Sequence, residues 1–200
     1  MRLFAVVLAL VLAPAVPAGA QFGNPAGMAP DTLKKSPGQP MAHQTNYQDR
    51  LFAQLVAAGG LAEVRFGELA GKSKNADVKD FARRMIDDHR MANDRLKQLA
   101  TASKIPLPEG LDDEQEQMRV ELEKLTDEAF DLAYISGQIV DHQKTVQLLE
   151  WEIDSGQDAD IQRFAADTLP VVLEHLRMAG NIKAKLINPQ VADASKASKK

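Results

Sequence analysis

The chain has 200 residues and no cysteine. That absence excludes disulfides, thiolate metal sites, a cysteine nucleophile and cysteine-linked lipid anchors. An excess of basic charge is missing as well: 24 Lys and Arg stand against 28 Asp and Glu, for a formal charge of −4. Nucleic-acid binding needs a clustered basic face, so no nucleic-acid partner is expected. The apolar run from Leu3 to Ala13 is shorter than the ~20 residues a membrane-spanning helix requires. No Gly-x-Ser-x-Gly elbow, phosphate loop or dinucleotide fingerprint is found, and no alternating strand pattern interrupts the chain. What is present is a chain 44% hydrophobic and 26% charged, the composition of a soluble globular unit. Its length suggests one domain, or at most two small ones.

The first residues read as a secretory leader. Arg2 supplies a short cationic start, the apolar run follows, and Ala18-Gly19-Ala20 offers a small-x-small cleavage site. Residues 1–20 are therefore expected to be a signal peptide, so that no integral membrane segment remains after cleavage. The protein is expected to be exported, either periplasmic or secreted. Residues 21–44 contain Pro25, Pro30, Pro37 and Pro40 with Gly23, Gly27 and Gly38. Such a stretch sustains neither helix nor central strand, and reads as a disordered spacer. Residues 188–200 read as a disordered, small, polar and basic tail. The folded domain is expected over residues 45–187.

Within that unit the 3.6-residue period dominates. The first long helix is expected from an Asn46 cap to about residue 72, with Leu55, Ala62, Phe66 and Leu69 in its apolar stripe. Ala58-Gly59-Gly60 in mid-helix suggests a close helix–helix approach or a kink, because glycine there costs ~1 kcal/mol per residue against alanine. The second helix starts at an Asn75 cap and runs to about residue 103, with Asp80–Arg84 and Arg90–Asp94 as i,i+4 surface pairs. Pro106 and Pro108 stop it. A short helix follows over about 113–125, where Asp112 and Gln115 have capping-box spacing. Thr126 is the expected cap of the third long helix, which ends near Ser155 and carries Leu132, Ile135, Ile139, His142, Val146, Leu149 and Ile153 as its stripe. Asp158 caps the fourth, which runs to about residue 187 with Pro170 inside it. Met85, Met91, Met118 and Met178 read as core filler, Trp151 as a packing anchor, and Asp131 with Tyr134 as a buried hydroxyl pair. His43 falls in the spacer and carries no inference. The two short connections require antiparallel hairpins, and the long one can run the length of the fold. The expected fold class is all-α: a ferritin-like four-helix bundle made of two antiparallel hairpins joined by a long crossover that contains a short helix.

Three of the four histidines share one level of this bundle. His89 lies 14 residues after Asn75, His142 lies 16 after Thr126, and His175 lies 17 after Asp158. Glu63, 17 residues after Asn46, reaches the same level on the first helix. Each of these histidines follows an acid, as Asp88-His89, Asp141-His142 and Glu174-His175. Neighbouring helical residues point about 100° apart, so each acid is expected at a helix–helix seam. There it can ligate, or orient a histidine on the next helix. Imidazoles and carboxylates at mid-bundle are the ligands used by iron, manganese and zinc. Glu63, His89, His142 and His175, with Asp88, Asp141 and Glu174 as alternate or outer ligands, are therefore the candidate metal residues. The Glu-x-x-His pairs of di-iron bundles are absent, since Ile86, Ile139 and Val172 stand three residues before the histidines. The alternative is a metal-free protein, a structural or interaction module of the bacterial cell envelope, in which neutral histidines bonded to the acids only fix helix register.

Three stretches resemble the signature of a bacterial family, domain of unknown function 4142. They are Phe81-Ala82-x-x-Met85-x-x-Asp88-His89-x-x-Ala92-Asn93, then Phe130-Asp131-x-x-Tyr134 followed by Asp141-His142, and Leu169-Pro170 followed by His175-Leu176-x-Met178-Ala179. The likeness runs from about residue 47 to 182. It implies a ferritin-like helical bundle in an exported bacterial protein and implies no established activity.

Overall fold

The computed structural model describes residues 40–188. The leader over 1–20, most of the spacer over 21–44, and the tail after residue 188 lie outside the described residues. Five helices and no strand make up those described: α1 Tyr47–Ala70, α2 Ala76–Ala102, α3 Asp113–Lys124, α4 Asp127–Ser155 and α5 Ala159–Ile187. Their starts follow from local chemistry. Asn46 and Asp49 close a capping box at α1, and Asp112 with Gln115 closes another at α3. The Asn75 and Asp158 side chains accept the first free N–H groups of α2 and α5. Thr126 departs from expectation. Its hydroxyl makes no capping bond, and the next residue, Asp127, takes φ of 51° and pairs with Lys74 instead.

Side-chain contacts fix how the long helices run. Gly60 faces Asn93 and Gly67 faces Ile86, so α1 and α2 are antiparallel. The α1–α4 contacts at Glu63–Gln138 and Gln48–Trp151 make that pair antiparallel too. Asp77–Lys185, Asp88–His175 and Arg95–Asp167 do the same for α2 and α5. Accordingly α2 and α4 point the same way, and residues 103–126 carry the chain back along the helices. In that crossover α3 rests on α1 and α4, and Lys72 Nζ donates to the carbonyls of Leu122, Glu123 and Leu125.

The apolar interior has two halves. One gathers Phe66, Phe81, Met85, Phe130 and Ile135; the other gathers Phe52, Leu96, Leu149, Ile161 and Phe164. Edge-on aromatic pairs, Phe81–Tyr134 at 6.2 Å and Phe52–Phe164 at 6.5 Å between ring centres, anchor each half. Between them lies a layer of buried polar side chains: Glu63, Gln138, His142 and His175. Most of the expected stripe residues lie inside, Ala62, Phe66, Ile135 and Leu149 among them, but Leu55 and Leu132 are exposed, at 43% and 39%. On α4 the buried line runs through Asp131, Tyr134, Gln138 and His142. Met85 is core filler as expected, whereas Met91 and Met118 lie at the surface. The surface pairs also shift: Arg84 binds Asp88 and Arg90 binds Glu68. Asp131 accepts from Ser73 Oγ at 2.6 Å, so the expected bond to Tyr134 is not made and the Tyr134 hydroxyl has no partner.

Close approach of α1 to α2 is real, but it is carried by Gly60 and Gly67 rather than by the whole Ala58-Gly59-Gly60 run. A Cβ on Gly67 would stand 2.8 Å from Ile86 Cγ1 and 3.2 Å from the Ala82 carbonyl oxygen, whereas one on Gly59 would meet nothing within 4 Å. Gly67→Ala is therefore expected to destabilise by about 1–3 kcal/mol through overpacking. Gly59→Ala should gain up to about 1 kcal/mol from helix propensity. Urea titration of the two variants checks the contrast, and equal midpoints would contradict it.

Candidate metal centre

Helices α2, α4 and α5 each place one histidine in the polar layer between the two apolar halves. His142 and His175 are 2% and 1% exposed, and His89 is half-buried with its Nε2 shielded from solvent. Ring centres stand 5.6 Å apart for His89–His142 and His89–His175, and 5.3 Å for His142–His175. One ring nitrogen from each of the three lies within 4.8 Å of the others, and this is the convergent group of metal-ligating side chains among the described residues.

The protons on two of these rings follow from their partners. His142 Nδ1 lies 2.8 Å from the carbonyl oxygen of Gln138. A carbonyl only accepts, so Nδ1 carries the hydrogen and, in the neutral ring, Nε2 is a bare lone pair. His175 Nε2 lies 2.8 Å from Asp88 Oδ2. An ionised carboxylate also only accepts, so Nε2 carries that hydrogen and Nδ1 is bare. The two bare nitrogens, His142 Nε2 and His175 Nδ1, then face each other at 3.3 Å. His89 Nε2, nearby and buried, has no hydrogen-bond partner. Two facing lone pairs repel unless something electropositive sits against both.

A proton is a poor candidate for that role. Burial pushes His89 well below the usual imidazole range, and the neighbouring His142 and His175 push it further. Burial and then His175 lower His142 to about 4. Burial also lowers His175, although Asp88 opposes it. At neutral pH the three rings are uncharged. A divalent cation meets the geometry instead: two nitrogens at ~2.0–2.1 Å from a tetrahedral metal stand about 3.3–3.4 Å apart. The outer nitrogens bond to a backbone carbonyl and a carboxylate, which are the usual orienting partners of metal-bound histidines.

The acids fall in different places. Asp88 lies on α2 and orients His175 of α5 through Oδ2, the same oxygen that Arg84 Nε binds. Glu63 is buried behind His142: its Oε1 is 3.6 Å from His142 Nδ1, the hydrogen-bearing nitrogen, and its Oε2 accepts from Gln138 Nε2 at 2.6 Å. Burial foremost, with a contribution from Asp141, raises the Glu63 carboxyl to about 8. Asp141 turns to Lys144, and Glu174 is exposed and paired with Arg177. Gln138 is a site residue that hydrophobic patterning overlooks; its position one helical turn before His142 is the sequence signal that it shares the same face.

A second polar group that patterning misses joins the far ends of α1, α4 and α5. Asp49, Glu152 and Asp158 are each fully buried. Asp49 Oδ1 accepts from the backbone N–H groups of Gln157 and Asp158, and Asp158 Oδ2 accepts from Ser103 Oγ at 2.8 Å. Neither Glu152 oxygen receives a hydrogen bond from a donor. Burial and then the nearby Asp49 push its carboxyl up to about 10, so it is neutral at ordinary pH. The backbone bonds make this group a clasp on the α4–α5 turn. Met41 joins it, exchanging backbone bonds with Gln157 and Ala159.

No curated protein matches the chain. Among solved structures, a fragment of a DUF305 protein from Deinococcus radiodurans is similar in fold, with 15% identity, a TM-score of 0.64, and coverage of 70% of this chain and 98% of that one. The family model described as Domain of unknown function (DUF4142) matches residues 34–182, spanning the three motif stretches and all three clustered histidines, and the chain belongs to that family.

Proposed function

We propose that the protein is an exported, ferritin-like four-helix bundle that binds one divalent transition metal through His89, His142 and His175. The observation that carries the metal reading is the pair of bare ring nitrogens 3.3 Å apart beside an unpartnered His89 Nε2. An all-nitrogen ligand set favours zinc, or iron as an imidazole binder, over manganese, which prefers oxygen. Asp88 and the Gln138 carbonyl would orient the ligating rings, and Glu63, held behind His142, would tune it. The bundle reading rests on the antiparallel pairing of α1 with α2 and of α4 with α5, joined by a crossover that lets α2 and α4 run parallel. Export rests on the leader-like residues 1–20.

Zinc titration of the tag-free protein tests the metal reading. Calorimetry is expected to give one equivalent, with affinity lowered at least ~100-fold in His142→Ala and in His175→Ala while circular dichroism stays helical. Asp88→Asn is expected to lose about 10–100-fold, as removal of an orienting partner does. Zinc uptake that is absent from the folded wild type, or unchanged in the histidine variants, would leave the layer as a metal-free device for helix register.

A further inference from the structure

A cavity of about 230 Å³ opens beside the histidine layer. Gly59, Gly60, Glu63, His89, Asn93 and Thr168 are among the residues that line it, and His89 is the one clustered histidine that does. It is also the histidine whose Nε2 is buried without a partner. The cavity is larger than the ~150 Å³ that admits benzene to an engineered apolar cavity.

The two central glycines of α1 serve different ends. A Cβ on Gly60 would fall 2.0 Å from Asn93 Oδ1, so packing against α2 explains that glycine. A Cβ on Gly59 would meet nothing within 4 Å, so packing does not require glycine there, and glycine is a poor choice for a helix interior. What the missing side chain preserves is the open space. Charge narrows what can use it. Asp112, Glu114 and Asp141 lie along the cavity against one ammonium, Lys144, which is itself bound to Asp141. That balance disfavours anions.

We propose that this cavity leads a small, uncharged ligand to an open coordination position on the metal held by His89, His142 and His175, with Gly59 keeping the passage clear. The proposal rests on the metal reading above. Three protein ligands with a vacant fourth position are the arrangement that leaves a metal available to an outside molecule.

The test uses the full chain loaded with Co(II), whose visible absorption reports its ligands, and imidazole as the probe. Wild type and Gly59→Ala are expected to show the same saturable spectral change. Gly59→Leu and Gly59→Phe should bind imidazole at least about tenfold more weakly because their side chains fill the passage, with Co(II) affinity unchanged within about twofold. The leucine variant carries the test if the phenylalanine variant does not fold. Identical imidazole titrations in wild type and Gly59→Leu would overturn the proposal, as would no spectral response in Co(II)-loaded wild type. Failure of wild type to take up Co(II) in a histidine-dependent way would instead overturn the metal reading, and this proposal with it.

Discussion

Saturation with zinc is expected to raise the unfolding free energy by about 4.1 kcal/mol when free zinc stands about 1,000-fold above its Kd, because the ligand binds the folded chain and not the unfolded one. The gain arises at a specific place. In the metal-free protein His142 Nε2 and His175 Nδ1 face each other as two lone pairs, so the layer between the two apolar halves is held together by its outer hydrogen bonds while its centre repels. A cation turns that repulsion into attraction from both sides. Urea titrations with and without zinc measure the effect. In His89→Ala, His142→Ala and His175→Ala the zinc-dependent shift at the same free zinc should fall to about 1.4 kcal/mol or less. A shift unchanged from wild type in all three would place the metal elsewhere. Removing the metal with a chelator should return wild type to its metal-free midpoint.

The metal-free protein is expected to be most stable near pH 6.5 and to weaken on both sides. The three histidines have folded values below the usual ~6.5, with His142 at about 4. The unfolded chain therefore takes protons first. Their contribution is complete above about pH 6.5 and is lost as pH falls from there toward 4. Glu63 and Glu152 have the opposite sign. Their folded values are raised from 4.5 to about 8 and about 10, so the folded chain binds those protons first. Their contribution is full below about pH 4.5 and is lost as pH rises through 8 and then 10. Between 4.5 and 6.5 the two sets oppose each other: His89 and His142 offset the two acids, and the lowered His175 tips the balance toward stability that rises with pH. Above 6.5 only the acids act, and each unmatched proton contributes a slope of about 1.4 kcal/mol per pH unit. Urea midpoints at pH 5, 6.5 and 8.5 should show the maximum in the middle. Glu152→Gln should flatten the alkaline limb, since the amide is neutral at every pH. A midpoint that climbs from pH 6.5 to 8.5 would contradict the assignment of buried neutral acids.

Helix positions were legible from caps and stops. Asn46, Asn75, Asp112 and Asp158 each begin a helix where their side chains can accept the first free N–H groups. Such signals are local, so one dimension suffices to carry them. The three histidines were legible as one level because a helix rises by a fixed amount per residue, and each lies 14 to 17 residues from its cap, close to the middle of a helix of 27 or 29 residues. Partners were not legible. Asp88 was expected at a seam, yet only packing decides that it meets His175, whereas Asp141 turns to Lys144 and Glu174 to Arg177. A residue's angle around its helix is known to tens of degrees from sequence. Choosing between a ligand, an orienting acid and a surface ion pair requires a fraction of an ångström. The apolar stripes placed Phe66, Ile135, His142 and Leu149 inside correctly but missed the buried Asp131 and Gln138 on α4, because hydrophobicity cannot flag positions that are buried by mutual hydrogen bonding.

The cysteine-free composition, the helical period and the caps are properties of neighbouring residues, and by themselves they determined an all-helical unit with three histidines at one height. The tertiary structure decided which ring nitrogens are bare, because each proton position follows from a partner supplied by the backbone or by another helix. It also separated Gly59 from Gly60, identical in sequence terms, since one touches Asn93 and the other borders open space. Both distinctions depend on groups far apart along the chain and a few ångströms apart in the fold.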